Sequence, residues 1–277
     1  MDGARYLDDV VRRLRDEISA AGSPPTCLAT VLVSGDPRDL SNARRKHVHA
    51  ERAGMQFRHV QLSPRSTQAE VEGAIDELAA SPSVHGIFIQ LPLPPHLHQA
   101  ALFDRIPVEK DVDGLGPLSL GKLARGDTSM APATPSGIVG MLLRHGVALR
   151  DAATVIVGSS LEIAIPLALL LMHLSKDGSV RLISPDARDL AATTREADIL
   201  VTCAERPGFI GAPHLRPGAT VVDAGYNRTK SGVTGDVDVE SVMGLAGALI
   251  PLPGGIGPAT VATLLEKTWA TARRCAG

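Results

Sequence analysis

Thr154-Val155-Ile156-Val157-Gly158-Ser159-Ser160 is the stretch on which the fold turns. Its first four residues are all β-branched and read as a buried strand. The strand runs into Gly158-Ser159-Ser160, and a helix follows that the apolar pattern carries to Leu174. A strand that turns on glycine into a helix is the repeating unit of a parallel α/β sheet. The same turn offers backbone N–H groups to a dinucleotide pyrophosphate. The G-x-G-x-x-G pattern is absent, so a plain strand–helix turn stays open beside a nucleotide site. Glu162 at the helix entry suits the helix dipole but opposes a bound phosphate. Downstream, residues 179–183, 199–203 and 220–223 read as strands and 187–197 as a helix. The chain closes with Pro251-Leu252-Pro253-Gly254-Gly255-Ile256-Gly257-Pro258 and a helix through Trp269.

The alternation is repeated upstream. Residues 135–145 read as a helix stopped by Gly146. Near the start, Leu7, Val10, Val11, Leu14 and Ile18 lie three or four apart, one face of a helix over 6–21 that Pro24-Pro25 ends. Residues 27–34, 57–62 and 84–90 have strand length. Between them, 39–54 and 67–80 are helical, the second capped by Ser66 or Thr67 with Glu70 following. Two such series predict an α/β protein with parallel sheets and helices on their faces. The prolines of LPLPPHLH (91–98) exclude helix and central strand. Residues 107–136, rich in Gly, Pro, Asp and Ser, read as a hinge or active-site stretch between two lobes.

At 277 residues, 44% apolar, the chain suffices for one large domain or two small ones, with a core that needs no disulfide. Lys and Arg number 28 against 30 Asp and Glu, a balance that argues against coating nucleic acid or an anionic membrane. Cys27, Cys203 and Cys275 have no metal spacing and suit a reducing cytosol. The charged start reads as an amphipathic helix, not a leader. The apolar run 163–174 is too short to span a bilayer.

Several residues are candidates for chemistry. Lys46 has no acid one helical turn away and sits beside Arg44 and Arg45, which leaves a solvated basic face or a site residue. Gln90 ends a strand, on the side where open α/β sheets bind ligands. Lys110-Asp111-Val112-Asp113-Gly114 holds two carboxylates that either clamp a substrate or build a turn. In Pro251 to Pro258, prolines fix the loop while glycines permit close backbone approach. The pairs His47/His49 and His96/His98 are poorly spaced for a shared metal, so no metal site is expected.

Together these pieces resemble the bifunctional methylenetetrahydrofolate dehydrogenase/methenyltetrahydrofolate cyclohydrolase family. The resemblance is carried by Ile89 to Pro94, Lys110 to Gly114, Ala133 to Ile138, Arg206 to Ile210, Gly235-Asp236-Val237 and Pro251 to Thr263. It implies two α/β lobes around a cleft. Residues 1–134 and 260–277 would form a folate-binding catalytic lobe, and 135–259 a Rossmann-type dinucleotide-binding lobe. It further implies one-carbon chemistry: methylenetetrahydrofolate gives a hydride to NADP, and the methenyl product is hydrolysed to 10-formyltetrahydrofolate. The family's catalytic Lys falls on Lys46, its Gln partner on Gln90, and the Asp that grips the pterin on Asp113. Gly254, Gly255 and Pro258 would lie beside folate and nicotinamide. Gly158, Ser159, Ser160 and Ser184 would hold the cofactor. The implied protein is a cytoplasmic homodimer whose partner is a tetrahydrofolate derivative, with no nucleic acid and no membrane.

The chain also departs from the family pattern. Asn42 stands where the family has a site Tyr, one turn before Lys46. Ser159 stands where the family often carries Arg or Ala, and Ala164 where it has Gly. Asp186 is expected to favour a free ribose hydroxyl over a 2′-phosphate, which leaves NAD, or no dinucleotide, beside NADP. The alternative reading is a divergent paralogue that keeps cyclohydrolase or another pterin reaction without dinucleotide-dependent oxidation, or a non-catalytic folate binder.

Overall fold

A computed structural model describes residues 1–22, 25–230 and 232–276. The chain divides into two compact units, one of Leu7–Gly121 with Val261–Gly277, the other of Met1–Tyr6 with Lys122–Thr260. The units meet at Gly121 and Lys122, whereas the division expected at 134/135 falls inside the first turn of a helix. Pro24, half of the expected stop to the first helix, lies outside the described residues.

α1 (Gly3–Ala21) enters the first unit at Leu7 and buries Leu7, Val10, Val11 and Leu14 there, the stripe that the spacing foretold. β1 (Cys27–Val33) is buried along its whole length because it is the centre of a parallel sheet. α2 (Pro37–Arg52) follows, with Asp36 accepting from the Arg38 N–H and proline at the helix start. The edge strand β2 (Gln56–Leu62) is more exposed, and it leads to α3 (Gln68–Ala80). Thr67 and Glu70 close a reciprocal cap at the start of α3. β3 (Gly86–Ile89), α4 (Gln99–Asp104) and α5 (Pro117–Ala124) complete the run, with sheet order β2-β1-β3. Val71, Ile75 and Leu78 of α3 join Val31, Val33, Ile87 and Ile89 in one core.

The second unit begins with α6 (Ala133–Arg144), β4 (Ala153–Val157), α7 (Ala164–Leu174) and β5 (Ser179–Ile183). α8 (Leu190–Thr194), β6 (Ile199–Thr202), β7 (Thr220–Asp223) and the hairpin β8 (Asn227–Thr229) and β9 (Gly232–Thr234) follow. α9 (Val239–Val242), β10 (Ala248–Ile250) and α10 (Ile256–Ala276) close the chain. Its five-stranded sheet runs β10-β7-β6-β4-β5, parallel throughout. β4 lies between β5 and β6, so the strand order reverses at β4, the point where such sheets bind ligands.

Several expectations are corrected. The helix after β4 starts at Ala164, past the expected entry at Glu162, and Ser160 Oγ accepts from the N–H groups of Ile163 and Ala164 ahead of it. Glu162 therefore precedes the helix. The helix expected over 187–197 shrinks to α8, and the stretch 107–136 contains α5 and a short 3₁₀ turn at Thr128–Met130. α10 starts inside the glycine–proline motif and runs past Trp269 to Ala276. In the first unit Trp269 is 3% exposed, and its indole N–H donates to Glu17 of α1 at 2.9 Å. No helix among the described residues is long and apolar enough to cross a membrane.

Candidate functional site

Three of the expected site residues converge in the first unit. Lys46 lies on α2, and Gln90 follows the last residue of β3. The Lys46 ammonium donates to Gln90 Oε1 at 2.8 Å, and Gln90 Nε2 donates to the Leu91 carbonyl at 2.7 Å. The second bond fixes the amide orientation, so its oxygen, the only acceptor, faces the lysine. Burial of the ammonium lowers the Lys46 pKa to about 8. Asp113 opposes that shift and Arg45 adds to it. Asp113 is itself buried.

The two carboxylates of the Lys110–Gly114 stretch divide their work. Asp111 accepts from the Gly114 and Gly116 N–H groups at 2.8 and 2.9 Å and from Ser119 Oγ at 2.6 Å, so it builds the turn. Lys110 is tied to the carbonyls of Ala79 and Ser81. Of the two, Asp113 is the one whose charge acts on Lys46. Asn42 lies one turn before Lys46 on α2 and accepts a bond from Arg45. The histidine pairs serve locally: His47 stacks on Phe57, while His96 bonds to the Ser66 carbonyl and His98 caps α4. No group of three or more His, Cys, Asp or Glu among the described residues is placed to hold a metal.

Sequence reasoning missed Phe88. Its ring lies under the Lys46 ammonium, 4.9 Å from Nζ to centroid. Phe88 and Gln90 are two residues apart and share a side of the extended chain, which was the available signal.

In the second unit the turn after β4 has the features a pyrophosphate needs. Gly158 has φ 140°, and a Cβ there would lie 2.7 Å from the Cys203 carbonyl oxygen and sulfur. Among the described residues, the backbone N–H groups of Ser159, Ser160 and Leu161 have no hydrogen-bond partner. These donors at the carboxyl end of a central parallel strand fit a dinucleotide phosphate. Ser184 follows β5, and its Oγ accepts from the Asp186 N–H at 3.1 Å. Asp186, expected to favour a ribose hydroxyl, pairs with Arg206 at 2.8 Å. Gly254 and Gly255 shape the turn into α10. The Gly254 carbonyl accepts from Gly3 N–H at 3.1 Å, the Gly255 N–H donates to the Pro251 carbonyl at 2.9 Å, and Pro258 sits in the first turn of α10.

Sequence reading also quoted Gly235-Asp236-Val237 without giving Asp236 a task. Asp236 accepts from Thr202 Oγ1, the N–H groups of Ala204, Glu205 and Arg206, and Asn227 Nδ2. Asp223 accepts from the N–H groups of Gly225, Asp236 and Val237, and burial pushes its pKa up to about 6. Asp236 thus sets the loop that follows β6, and Asp223 holds the segment that carries Asp236.

Residues 1–113 match the family model of the tetrahydrofolate dehydrogenase/cyclohydrolase catalytic domain, and 132–276 that of its NAD(P)-binding domain. The bifunctional protein FolD 2 of Frankia alni is 45% identical over 273 residues, 99% of this chain and 94% of that protein. The bifunctional FolD methylenetetrahydrofolate dehydrogenase/cyclohydrolase of Campylobacter jejuni superposes with a TM-score of 0.92 at 32% identity, covering 99% of this chain and 98% of its own. The Trypanosoma brucei enzyme, solved with NADP and an inhibitor, also reaches 0.92 at 28% identity, covering 99% of this chain and 97% of its own. Nothing in these likenesses favours a paralogue that has lost one activity. With one family model on each part of the sequence and a full-length relative at this identity, the chain belongs to the tetrahydrofolate dehydrogenase/cyclohydrolase family.

Proposed function

We propose that this one-carbon folate enzyme catalyses two reactions and that Lys46, positioned by Gln90 and Asp113, moves the proton in the second. The reactions are the oxidation of methylenetetrahydrofolate to methenyltetrahydrofolate and the hydrolysis of that product to 10-formyltetrahydrofolate. The observation that carries the reading is the 2.8 Å bond between Lys46 and Gln90 at a lysine whose pKa is lowered to about 8. A general base works best with a pKa near the working pH, and an ordinary lysine lies too high. In hydrolysis, neutral Lys46 takes a proton from the attacking water, and the resulting ammonium can return one as the ring opens. Gln90 presents an acceptor to Nζ and fixes its direction, while the Phe88 ring takes the other flank. Asp113 would grip the pterin, and Asn42 would border it without offering a phenol.

NADP, when bound, accepts the hydride of the oxidation. Gly158, Ser159 and Ser160 would hold its pyrophosphate, Ser184 would lie by the adenosine ribose, and the Gly254, Gly255 and Pro258 turn by the nicotinamide.

The test is the pH profile of methenyltetrahydrofolate hydrolysis, corrected for the solvent rate. The rate rises with pH through about 8 and then levels, because only the neutral amine is a base. Gln90→Glu places a carboxylate on the ammonium, raises its pKa and moves that limb to higher pH. A profile whose limb stays in place in the Gln90→Glu protein would exclude Lys46 as the titrating base.

The same reading makes the protein a homodimer. β5 is an edge strand with Leu182 41% exposed, and α7, which packs on it, leaves Met172 64% exposed. Apolar groups at a free sheet edge favour pairing with a second copy. Light scattering is expected to give twice the 29.0 kDa chain mass, and Met172→Glu with Leu182→Lys to give the monomer.

A further inference from the structure

We infer that Arg206 is the residue that receives the adenosine 2′-phosphate of NADP, and that Asp186 holds its guanidinium until the phosphate arrives. The inference rests on the reading of this unit as an NAD(P) site and names the specificity element within it. No basic residue lies between Val157 and Met172, so the turn after β4 supplies backbone donors but no cation. Arg206 supplies one from the neighbouring strand. Asp186 follows β5 and Arg206 follows β6, while β4 runs between those strands. Their 2.8 Å ion pair therefore joins the segments that leave the carboxyl ends of the two strands flanking β4, the strand whose end carries Ser159 and Ser160.

The two ends of Arg206 are built differently. Its backbone N–H is fixed by Asp236 at 2.8 Å. Its guanidinium lies 5.3 Å from the Phe209 ring centroid, and the side chain is 42% exposed. The base of the residue is held and its fork can turn. The fork matches a phosphate as well as a carboxylate. Asp186, 72% exposed, is cheaply released to water. A dinucleotide without the 2′-phosphate finds the pair closed, with Asp186 available to a ribose hydroxyl. One with the phosphate exchanges Asp186 for itself and relieves the repulsion of two anions. Arg188, also exposed and close in sequence to Asp186, is the competing cation.

Calorimetric binding of 2′,5′-ADP and 5′-AMP to the full chain decides the matter. Arg206→Gln is expected to weaken 2′,5′-ADP by about tenfold or more, with little change for 5′-AMP. Arg206→Lys recovers part of that loss. Asp186→Asn tightens 2′,5′-ADP and weakens 5′-AMP, which loses the acceptor for its ribose hydroxyl, while Arg188→Gln changes neither. A general disturbance of the loop would move both nucleotides together. Equal losses for both ligands in Arg206→Gln, or a selective loss in Arg188→Gln instead, overturn the inference and spare the NAD(P) reading. If the unaltered protein binds neither nucleotide, both readings fall.

Discussion

Lys46→Met is expected to lower the hydrolysis of methenyltetrahydrofolate by about 10²–10⁴, the usual contribution of a general base. Methionine keeps the apolar stem of lysine, so α2 persists, and a thioether replaces the ammonium near the Phe88 ring. Only the ammonium and its bond to Gln90 are lost. Lys46→Arg separates two explanations. A guanidinium keeps the positive charge and can still donate to Gln90, but it does not give up its proton. If Lys46 moves a proton, arginine is as inactive as methionine. If it only supplies charge beside Asp113, arginine restores much of the rate. The decay of methenyl absorbance at fixed pH, after subtraction of the solvent rate, measures both variants. Full activity in Lys46→Met would remove this residue from the mechanism.

The second large effect concerns stability. Asp236→Ala is expected to destabilise the second unit by about 3–5 kcal/mol, the scale of breaking a buried charged network. Asp236 and Asp223 are both fully buried. The substitution strands donors from Thr202, Ala204, Glu205, Arg206 and Asn227 at once. The site cannot close over the gap with a neighbouring side chain, since Gly225 lies against the Asp236 carboxylate and Gly235 against that of Asp223. Asp236→Asn retains one accepting oxygen and is expected to cost less. Thermal unfolding measures the difference. An unshifted transition in Asp236→Ala would mean that water satisfies the loop unaided.

Much of the architecture was legible because it depends on local pattern. The β-branched run before Gly158 became β4, the stripe from Leu7 to Leu14 became the buried face of α1, and Thr67 with Glu70 became the cap of α3. What escaped depends on distant partners. β10 is three residues long and exists because β7 offers an edge. α7 begins late because Ser160 occupies the first donors, a choice of rotamer that no periodicity records. Asp111 and Asp113 look alike in sequence, but the loop from Gly114 to Ser119 folds back on one of them. Lys46 and Gln90 were separate candidates from sequence, and only family resemblance paired them, since 44 residues separate them. The Asp186–Arg206 pair follows from strand order, not from spacing along the chain.

The placement of Trp269 against Glu17 has an optical consequence. It is the chain's only tryptophan and it lies in the first unit, while the only two tyrosines, Tyr6 and Tyr226, both lie in the second. Indole emission therefore follows the melting of one unit, and phenol absorbance that of the other. A two-unit chain need not unfold in one step, and here each step carries its own colour without a label. A bound nucleotide that stabilises only its own unit shifts the tyrosine signal and leaves the tryptophan signal where it was.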